Sequence, residues 1–316
     1  MSDVELREFR YFVAVATELN FSRAAQRLGM AQSPLSKAIA QLESRLGVTL
    51  LQRDTRRVDL TPAGAVLLEQ ARSVLAAADA AITRTMRAAA PEPRLTVTLK
   101  PGVDSGLLRE IVAAYERPDL PPVEIDFADW GGPTARLLCG AADVAILHSP
   151  YDPHGLEIWE LLTEPRVVAL CAGHRLATRT RLRRADLSGE PLPHWPSGDP
   201  ASDAYWAGRD PVTLAAAWTG SAATDSAPTG PAVRDLTQLL EVVGYGQAVA
   251  FLPASTAARY PRPDIVFIPV TDLSPSITAI AWPEGSRSSA IAAFLAAAID
   301  VAERGDSDAQ VAPAIP

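Results

Sequence analysis

Residues 21–47 read FSRAAQRLGMAQSPLSKAIAQLESRLG, and this stretch decides the fold of the amino-terminal part of the chain. A first short helix carries Ala24 and Ala25, which are small enough to let a second helix cross closely. Gly29 then stands where a helix end needs a residue that tolerates positive φ. The second helix begins near residues 32–34 and carries an apolar stripe spaced by three or four residues. The stripe consists of Leu35, Ile39, Leu42 and Leu46. The pattern is typical of a helix-turn-helix, whose second helix reads duplex DNA.

The second helix also has a polar face beside that stripe. Glutamine pairs with adenine, lysine reaches guanine or phosphate, and serine adapts to either. We predict DNA contacts from Gln32, Ser33, Pro34, Ser36, Lys37 and Gln41. Ser22 is expected to cap the first helix, because serine accepts hydrogen bonds from free N–H groups at helix starts.

A basic turn follows the helix pair. Residues 53–60 read RDTRRVDL and lie between two apolar segments, which predicts a β-hairpin wing. Its arginines Arg53, Arg56 and Arg57 suit phosphates or a minor groove. A solvated charged turn on a purely structural helical hairpin is the alternative. The order of helix pair, basic wing and long helix favours the DNA-binding interpretation.

Residues 62–90 predict one long helix, with Thr61 as its cap and Pro62 at its first position. About 29 residues rising 1.5 Å each span roughly 43 Å, too far to bury against a small winged domain. Its apolar stripe comprises Leu67, Ala71, Val74, Ala78, Ile82 and Met86. Such a stripe predicts pairing with the same helix of a second copy. The alternative is a solvated linker helix.

Composition and charge bound the remaining possibilities. The chain has 316 residues, 48% of them hydrophobic, which allows two or three domains. It lacks a run of 18 apolar residues and a signal-like start, so we expect a cytoplasmic protein without a membrane partner. Residues 1–90 carry 12 Lys/Arg against 9 Asp/Glu, whereas residues 91–316 carry 17 against 28. DNA contact is therefore expected at the basic amino-terminal end only. Cys139 and Cys171 are expected to be buried thiols, and no metal-ligand spacing is present.

Strands alternate with helices beyond residue 94, which predicts an α/β sheet with right-handed crossovers. The predicted strands are Leu95–Leu99, Val123–Phe127, Val144–Leu147, Arg166–Cys171, Pro191–Trp195, Ala215–Trp218, Ala248–Leu252 and Ile277–Trp282. The predicted helices are Leu107–Tyr115, Thr134–Cys139, Leu236–Val243 and Ile291–Ala302.

Residues 4–64 resemble the DNA-binding domain of LysR-type transcriptional regulators. The matching residues include Phe9, Phe12, Phe21, Ala24, Ala25, Leu28, Gln32, Ser33, Leu35, Ser36, Ile39, Leu42, Glu43, Leu46, Gly47, Leu50, Arg53 and the run Leu60–Gly64. Two departures are Ala31, where the family often has Ser, and Leu51, where it often has Phe. Shorter motifs at residues 106–108, 140–143, 172–176 and 244–253 are similar to the effector-binding region of the same family.

The resemblance implies a multidomain α and α/β protein. A winged helix-turn-helix would occupy residues 1–61 and a linker (dimerisation) helix residues 62–90. A two-subdomain, periplasmic-binding-protein-like α/β effector domain would occupy residues 91–304, and residues 305–316 would form a flexible tail. Subdomain I would comprise about 94–165 and 268–304, and subdomain II about 166–267.

The resemblance also implies an effector cleft between the two subdomains. Ligands of such sheets bind beyond the carboxyl ends of strands, near helix N-termini. The candidate residues are Gly102, Val103, Asp104, Ser105, Trp130, Gly131, His148, Ser197 and Gly246. Gly102 and Trp130 stand where many members carry Ser or Thr, and His148 stands where some carry Arg. The flat face of Trp130 favours an aromatic or largely apolar effector, unless Trp130 only packs in a core.

His148 is either a contact to the effector or a solvated loop residue. With an ordinary pKa near 6.5, it would bind an anionic effector more tightly below about pH 6.5.

These features predict a LysR-type regulator whose operator complex responds to a small-molecule effector. The operator should have dyad symmetry, and the chain should form a dimer through the linker helix and a tetramer through the effector domains. RNA polymerase is a further candidate partner. No catalytic motif and no cofactor site is recognisable. The alternatives are a regulator of this fold without a small-molecule effector, and a solute-binding or enzymatic protein of the sensor fold.

Overall fold

The computed structural model describes residues 4–54, 57–102, 104–128, 132–196, 200–209 and 229–311. The chain divides into two compact units between Arg87 and Ala88. The first contains the winged helix-turn-helix and the long helix, and the second contains two subdomains. The predicted α and α/β classes are both present.

The first unit places three helices and a hairpin around one core. The helices are α1 (Leu6–Glu18), α2 (Phe21–Arg27) and α3 (Gln32–Leu46), and the hairpin strands are β1 (Leu51–Asp54) and β2 (Arg57–Leu60). Phe12, Val15, Ala24 and the α3 stripe residues Leu35, Ile39 and Leu42 are inaccessible to solvent. The apolar spacing of α3 therefore produces the packing that it predicts.

The cap of α2 differs from the prediction. Asn20, not Ser22, accepts a hydrogen bond from the N–H of Arg23 at 3.0 Å. Phe21 is 8% exposed, and its burial requires the helix to begin one residue before Ser22. Ser22 is thereby released for another role.

Helix α4 (Pro62–Ala88) starts as predicted, since the hydroxyl of Thr61 accepts a hydrogen bond from the N–H of Gly64 at 3.0 Å. Gly64 lies so close to the preceding chain that a Cβ would collide with the carbonyl oxygen of Leu50. The residues of the predicted apolar stripe of α4 differ in their exposure to solvent. Ala71 is buried within the first unit, whereas Val74, Ile82 and Met86 are exposed.

Subdomain I of the second unit is built around a five-stranded sheet in the order β4-β3-β5-β12-β6. These strands are β3 (Leu95–Leu99), β4 (Val123–Phe127), β5 (Val144–His148), β6 (Leu156–Glu164) and β12 (Ser276–Pro283). β3 is parallel to β4 and β5, and β12 is antiparallel to β5 and β6. The helices are α5 (Leu107–Tyr115), α6 (Gly132–Leu138) and α10 (Ser289–Val311). Ile111, Ile280 and Phe294 pack in one core. The amino-terminal and carboxyl-terminal segments of the second unit therefore both contribute to the core of subdomain I.

Subdomain II holds an antiparallel sheet in the order β10-β7-β11. Its strands are β7 (Arg166–Cys171), β10 (Ala250–Pro253) and β11 (Ile265–Pro269). A parallel pair, β8 (Leu192–His194) and β9 (Thr229–Ala232), lies beside it. The helices are α7 (Pro200–Trp206), α8 (Leu236–Gly244) and α9 (Ala254–Arg259).

Several elements differ from the sequence predictions. Strands β6, β9 and β11 were not predicted. β11 pairs with β7 through Pro269, and the return of the chain to subdomain I near residue 268 stays a prediction. The tail expected from 305 is helical as far as Val311. Cys139 and Cys171 are free and half-buried rather than buried. The strand predicted at 215–218 lies outside the described residues.

Candidate functional site

The exposed face of α3 is the candidate DNA-binding surface. The side chains predicted to contact DNA lie off the buried stripe, on or beside the exposed face of the helix. Gln32, Ser33, Pro34, Lys37 and Gln41 are exposed, and Ser36 is half-buried. The structure therefore brings the predicted polar residues together on one accessible face, as readout of a major groove requires.

Ser22 supports this face from α2. Its hydroxyl donates a hydrogen bond to Oε1 of Gln32 at 3.0 Å, a contact that links the two helices of the motif. Sequence reasoning assigned Ser22 to a cap and missed this role. The spacing of ten residues between the two side chains gives no local signal for it.

Glu43 fixes the wing to α3. Its Oε1 accepts hydrogen bonds from the N–H groups of Leu50 at 2.8 Å and Leu51 at 3.1 Å. Leu50 and Leu51 are buried, so these N–H groups need a partner from the chain. In the sequence, Glu43 was recognised only as part of a family motif. The structure shows that its carboxylate accepts the hydrogen bonds that hold the start of the wing against α3.

Two of the predicted wing arginines, Arg53 and Arg57, lie on the hairpin strands. In the register of the hairpin, the backbone of Arg53 lies opposite that of Val58, and the backbone of Arg57 lies opposite that of Asp54. The side chains of Arg53 and Arg57 and the whole of Arg56 lie outside the described part of the chain. Their roles remain sequence predictions.

The second unit contains a cavity of about 250 Å³ between its two subdomains. Subdomain I contributes the carboxyl ends of its parallel strands. Subdomain II contributes mostly apolar and aromatic side chains. The lining includes Lys100, Pro101, Gly102, Ala128, His148, Pro193, Trp195, Trp206, Arg234, Asp235, Leu236, Thr237, Leu239, Leu240, Ala250, Phe251, Leu252, Pro253, Thr256 and Tyr260. The cavity is at the position expected for ligands of α/β sheets.

Two of the predicted effector residues, Gly102 and His148, line this cavity. Gly102 has φ of 78°, and a Cβ there would stand 3.0 Å from the hydroxyl of Tyr260. The departure from Ser or Thr at position 102 thus permits close approach of the two subdomains.

Asp104 and Ser105 instead connect the subdomains beside the cavity. Asp104 pairs with Arg259 of α9 at 2.5 Å. The hydroxyl of Ser105 lies 3.2 Å from Oε1 of Glu164 and 2.9 Å from Oγ1 of Thr278 in subdomain I, and 3.3 Å from the hydroxyl of Ser255 in subdomain II. These two residues hold the loop after β3 against α9 and β12.

Gly246 is not among the residues that line this cavity, and its role as an effector contact stays a prediction. It follows the carboxyl-terminal end of α8, where its N–H donates to the carbonyl of Val243 and a Cβ would meet Sγ of Cys171. The cavity is lined instead by the amino-terminal turn of α8. The other candidates, Val103, Trp130, Gly131 and Ser197, lie outside the described residues.

His148 is the titratable group whose environment differs most from the sequence expectation. Burial lowers the pKa of its imidazole to about 4, with a further lowering by Lys100 that is opposed by Asp104. The ring is therefore neutral at pH 7, and the expected imidazolium below pH 6.5 does not form there. Its Nε2 lies 3.0 Å from Oγ1 of Thr278. Its Nδ1 is shielded from solvent without a hydrogen-bond partner among the described residues.

Arg166 anchors the point where the chain crosses between subdomains. Its guanidinium is buried and donates to the carbonyl of Tyr205 at 2.6 Å and to that of Ser274 at 2.8 Å. It also lies 3.9 Å above the ring of Tyr205. Tyr205 in turn donates to the carbonyl of Pro275 at 2.7 Å. Sequence reasoning missed this cluster, because its members are far apart in the chain.

Neither a metal site nor a membrane-spanning helix is present among the described residues. They contain no cluster of His, Cys, Asp and Glu suited to a metal ion. They also contain no helix with the length and apolar character needed to cross a bilayer.

Comparison with known proteins assigns both units. Residues 6–65 match the family described as "Bacterial regulatory helix-turn-helix protein, lysR family". Residues 88–303 match the "LysR substrate binding domain". The chain belongs to the LysR family. It is a DNA-binding transcriptional regulator with an effector-binding domain.

Relatives of the LysR-family regulator align over nearly its whole length. The Hca operon transcriptional activator HcaR of Escherichia coli is 32% identical over 297 residues, covering 93% of the regulator and 96% of the relative. The transcriptional regulator ShiR of Corynebacterium glutamicum is 32% identical over 308 residues, covering 94% and 99%.

Solved structures of full-length regulators also match both units of the chain. CbnR, a LysR family transcriptional regulator, has a TM-score of 0.53 at 26% identity, covering 95% of this regulator and 99% of that chain. Full-length BenM has a TM-score of 0.51 at 26% identity, covering 96% and 98%.

Proposed function

We propose that this regulator controls transcription by binding a small effector in the cavity between its two subdomains. The observation that carries the proposal is the cavity itself. It is contacted by both subdomains and lined largely by apolar side chains around a few polar groups, as small-molecule sites are. A ligand held by both walls favours one arrangement of the subdomains over another. The favoured arrangement changes the spacing of the DNA-binding units on the operator, and with it the bending of the operator DNA.

We assign operator reading to the exposed face of α3. Gln32, Ser33 and Lys37 contact base edges, whereas Arg53 and Arg56 of the wing contact the backbone. Pro34, Ser36, Gln41 and Arg57 complete the surface. The exposure of this face and the contact of Ser22 with Gln32 support the assignment.

We further propose that the regulator acts as a dimer through α4, with tetramers formed through the effector domains. Val74 is 40%, Ile82 57% and Met86 71% exposed. Such exposure of large apolar side chains along one helix favours a partner helix from a second copy. A dimer with two-fold symmetry matches an operator with dyad symmetry.

The regulator acts in the cytoplasm, where its operator DNA lies, and without catalysing a reaction. The relatives named above are transcriptional regulators, which supports a role in binding rather than in chemistry. A regulator controlled without any small effector is the competing outcome of the experiment below.

The cavity is tested with a substitution that fills it. Thr237 lies at an exposed lining position in the first turn of α8. In a thermal-shift screen of small aromatic metabolites, at least one compound should stabilise the wild-type chain, since a ligand of the native state raises its stability. Thr237→Trp should abolish that shift and leave operator binding without effector unchanged. Gln238→Trp, one residue further along α8, serves as the control. A shift that survives Thr237→Trp, or no shift with any compound, contradicts the proposal.

The DNA assignment is tested with two substitutions. Gln32→Ala should cost about 1–3 kcal/mol on the cognate operator and relax the preference at one base pair. Arg56→Ala should weaken binding to all sequences and reduce the salt slope by about 1. Fluorescence anisotropy on operator and scrambled duplexes measures both. A sequence-specific effect of Arg56 with none from Gln32 would reverse the roles.

A further inference from the structure

A chain of hydrogen bonds connects a buried carboxylate to the effector cavity. Glu164, at the end of β6, is 8% exposed. Its Oε2 accepts from the N–H of Ser255 at 2.5 Å, and its Oε1 accepts from the hydroxyls of Ser255 at 2.8 Å and Ser105 at 3.2 Å. Ser105 contacts Thr278 at 2.9 Å, and Thr278 contacts Nε2 of His148 at 3.0 Å. Three links, through Ser105 and Thr278, thus lead from a carboxylate to an imidazole that lines the cavity.

The carboxylate sets the direction of the hydrogen bonds that lead from Glu164 to His148. A carboxylate only accepts hydrogen bonds, so the hydroxyl of Ser105 donates its single proton to Glu164. The hydroxyl of Ser255 lies 3.3 Å from that of Ser105 and donates to Glu164 over the shorter distance of 2.8 Å. The oxygen of Ser105 must then accept the proton of Thr278. Since the proton of Thr278 is used, its oxygen accepts from Nε2–H of His148. The reverse direction would place lone pairs of Ser105 and Glu164 against each other at 3.2 Å.

The direction of the chain determines the tautomer of the imidazole. A neutral imidazole carries one proton, and here that proton is on Nε2. Nδ1 of His148 therefore presents a lone pair. That atom is shielded from solvent and unpartnered among the described residues, and a buried acceptor without a donor is unfavourable.

We infer that the effector supplies a hydrogen-bond donor, a hydroxyl or N–H group, to Nδ1 of His148. The inference rests on the proposed function, because it takes the cavity as the effector site. A carboxylate oxygen or an ether oxygen at this position would meet the lone pair of Nδ1 and is disfavoured.

The rest of the lining sets the class of molecule that carries the donor. Trp195, Trp206, Phe251 and Tyr260 contribute aromatic surface. The volume of about 250 Å³ exceeds the roughly 150 Å³ of a cavity that accommodates benzene. A single aromatic ring with a hydroxyl or amino substituent fits both the size and the apolar walls.

The tautomer can be measured without any ligand. In the full-length chain labelled with ¹⁵N-histidine, His148 is assigned by the loss of its signals in His148→Phe. At pH 7 its Nε2 should carry the proton and Nδ1 should be bare. Thr278→Val, nearly isosteric and buried, removes the acceptor and should allow the Nδ1–H tautomer to appear. Thr98→Val is the matched control, since Thr98 is equally buried but donates to Asp126. A protonated Nδ1 in the wild type overturns the inference.

Recognition of the donor is tested with four probes that differ at one group. Phenol and aniline carry a donor, whereas toluene and anisole do not. Binding to the full-length chain is measured by isothermal titration calorimetry, with Thr237→Trp defining binding in the cavity. Phenol should bind at least about tenfold more tightly than anisole or toluene, a difference of about 1.4 kcal/mol. This preference should vanish in His148→Phe and persist in Thr98→Val.

The outcomes separate the inference from the proposed function. If the probes bind in the cavity without preference for a donor, the inference is wrong and the cavity remains the effector site. A preference that persists in His148→Phe also refutes the inference, because another group then reads the donor. If no probe binds at millimolar concentration, the cavity does not accept this class of molecule and the inference fails, whereas the proposed function is decided by the thermal-shift screen.

Discussion

Removing the carboxylate of Glu43 should detach the wing from the recognition helix. Glu43→Ala leaves the N–H groups of Leu50 and Leu51 without their acceptor at positions that are 1% and 2% exposed. Each unsatisfied buried donor costs about 1–3 kcal/mol. Because Glu43 itself is half-buried, water recovers part of this loss, and about 2–4 kcal/mol remains. In a unit of this size, that lowers the melting temperature by about 8 °C or more.

The same substitution should affect DNA binding in a particular way. A wing that no longer pairs with α3 loses its backbone contacts, so affinity should fall on all duplexes and the salt slope should decrease. Glu43→Gln is the control, because its amide oxygen can still accept from both N–H groups. Calorimetry and fluorescence anisotropy provide the two readouts. Equal effects of Glu43→Ala and Glu43→Gln, or a stable Glu43→Ala chain, would refute the reasoning.

Three further predictions follow from features of the two units. Charged replacements of the exposed residues Val74 and Ile82 should convert dimers to monomers in light scattering and weaken operator binding; a wild-type monomer at working concentration would contradict this. The lowered pKa of His148, about 4, means that the unfolded chain binds its proton first as pH falls from about 6.5. The contribution of His148 to the free energy of unfolding should therefore decrease as the pH falls from about 6.5 to about 4. In urea titrations of His148→Phe, the free energy of unfolding should lack this part of its pH dependence. Gly64→Ala should destabilise the first unit by about 1–3 kcal/mol in thermal melts, since its Cβ collides with the carbonyl group before β1; Ala65→Ser should have little effect.

The helix-turn-helix could be predicted from the sequence because its determinants are local. The spacing of Leu35, Ile39 and Leu42 alone defines which face of α3 is buried. The cap of α2 was misassigned because Asn20 and Ser22 are both good caps. The choice between them depends on burying Phe21, which is a tertiary effect.

Strand β6 shows why prediction was poorer in the second unit. Three glutamates interrupt its apolar residues, and it pairs only with β12, more than 100 residues away in the chain. Its burial comes from that distant partner and not from a local alternation. The depressed pKa of His148 has the same origin, because Lys100 and the surrounding walls are assembled from separate strands. The motif around Gly246 marks a helix end, and only the fold shows that the opposite end of α8 lines the cavity.

The position of β12 in its sheet also governs the order in which the chain can fold during synthesis. β12 separates β5 from β6, yet only the residues after Ser276 supply it. Chains emerge from the ribosome amino terminus first, so the DNA-binding unit and subdomain II are complete while β6 still has no neighbour. A premature stop before Ser276 thus produces a truncated copy with a complete DNA-binding unit, an α4 able to pair, and an open edge on β5. Late nonsense mutations in this gene should therefore resemble dominant-negative alleles rather than mild ones.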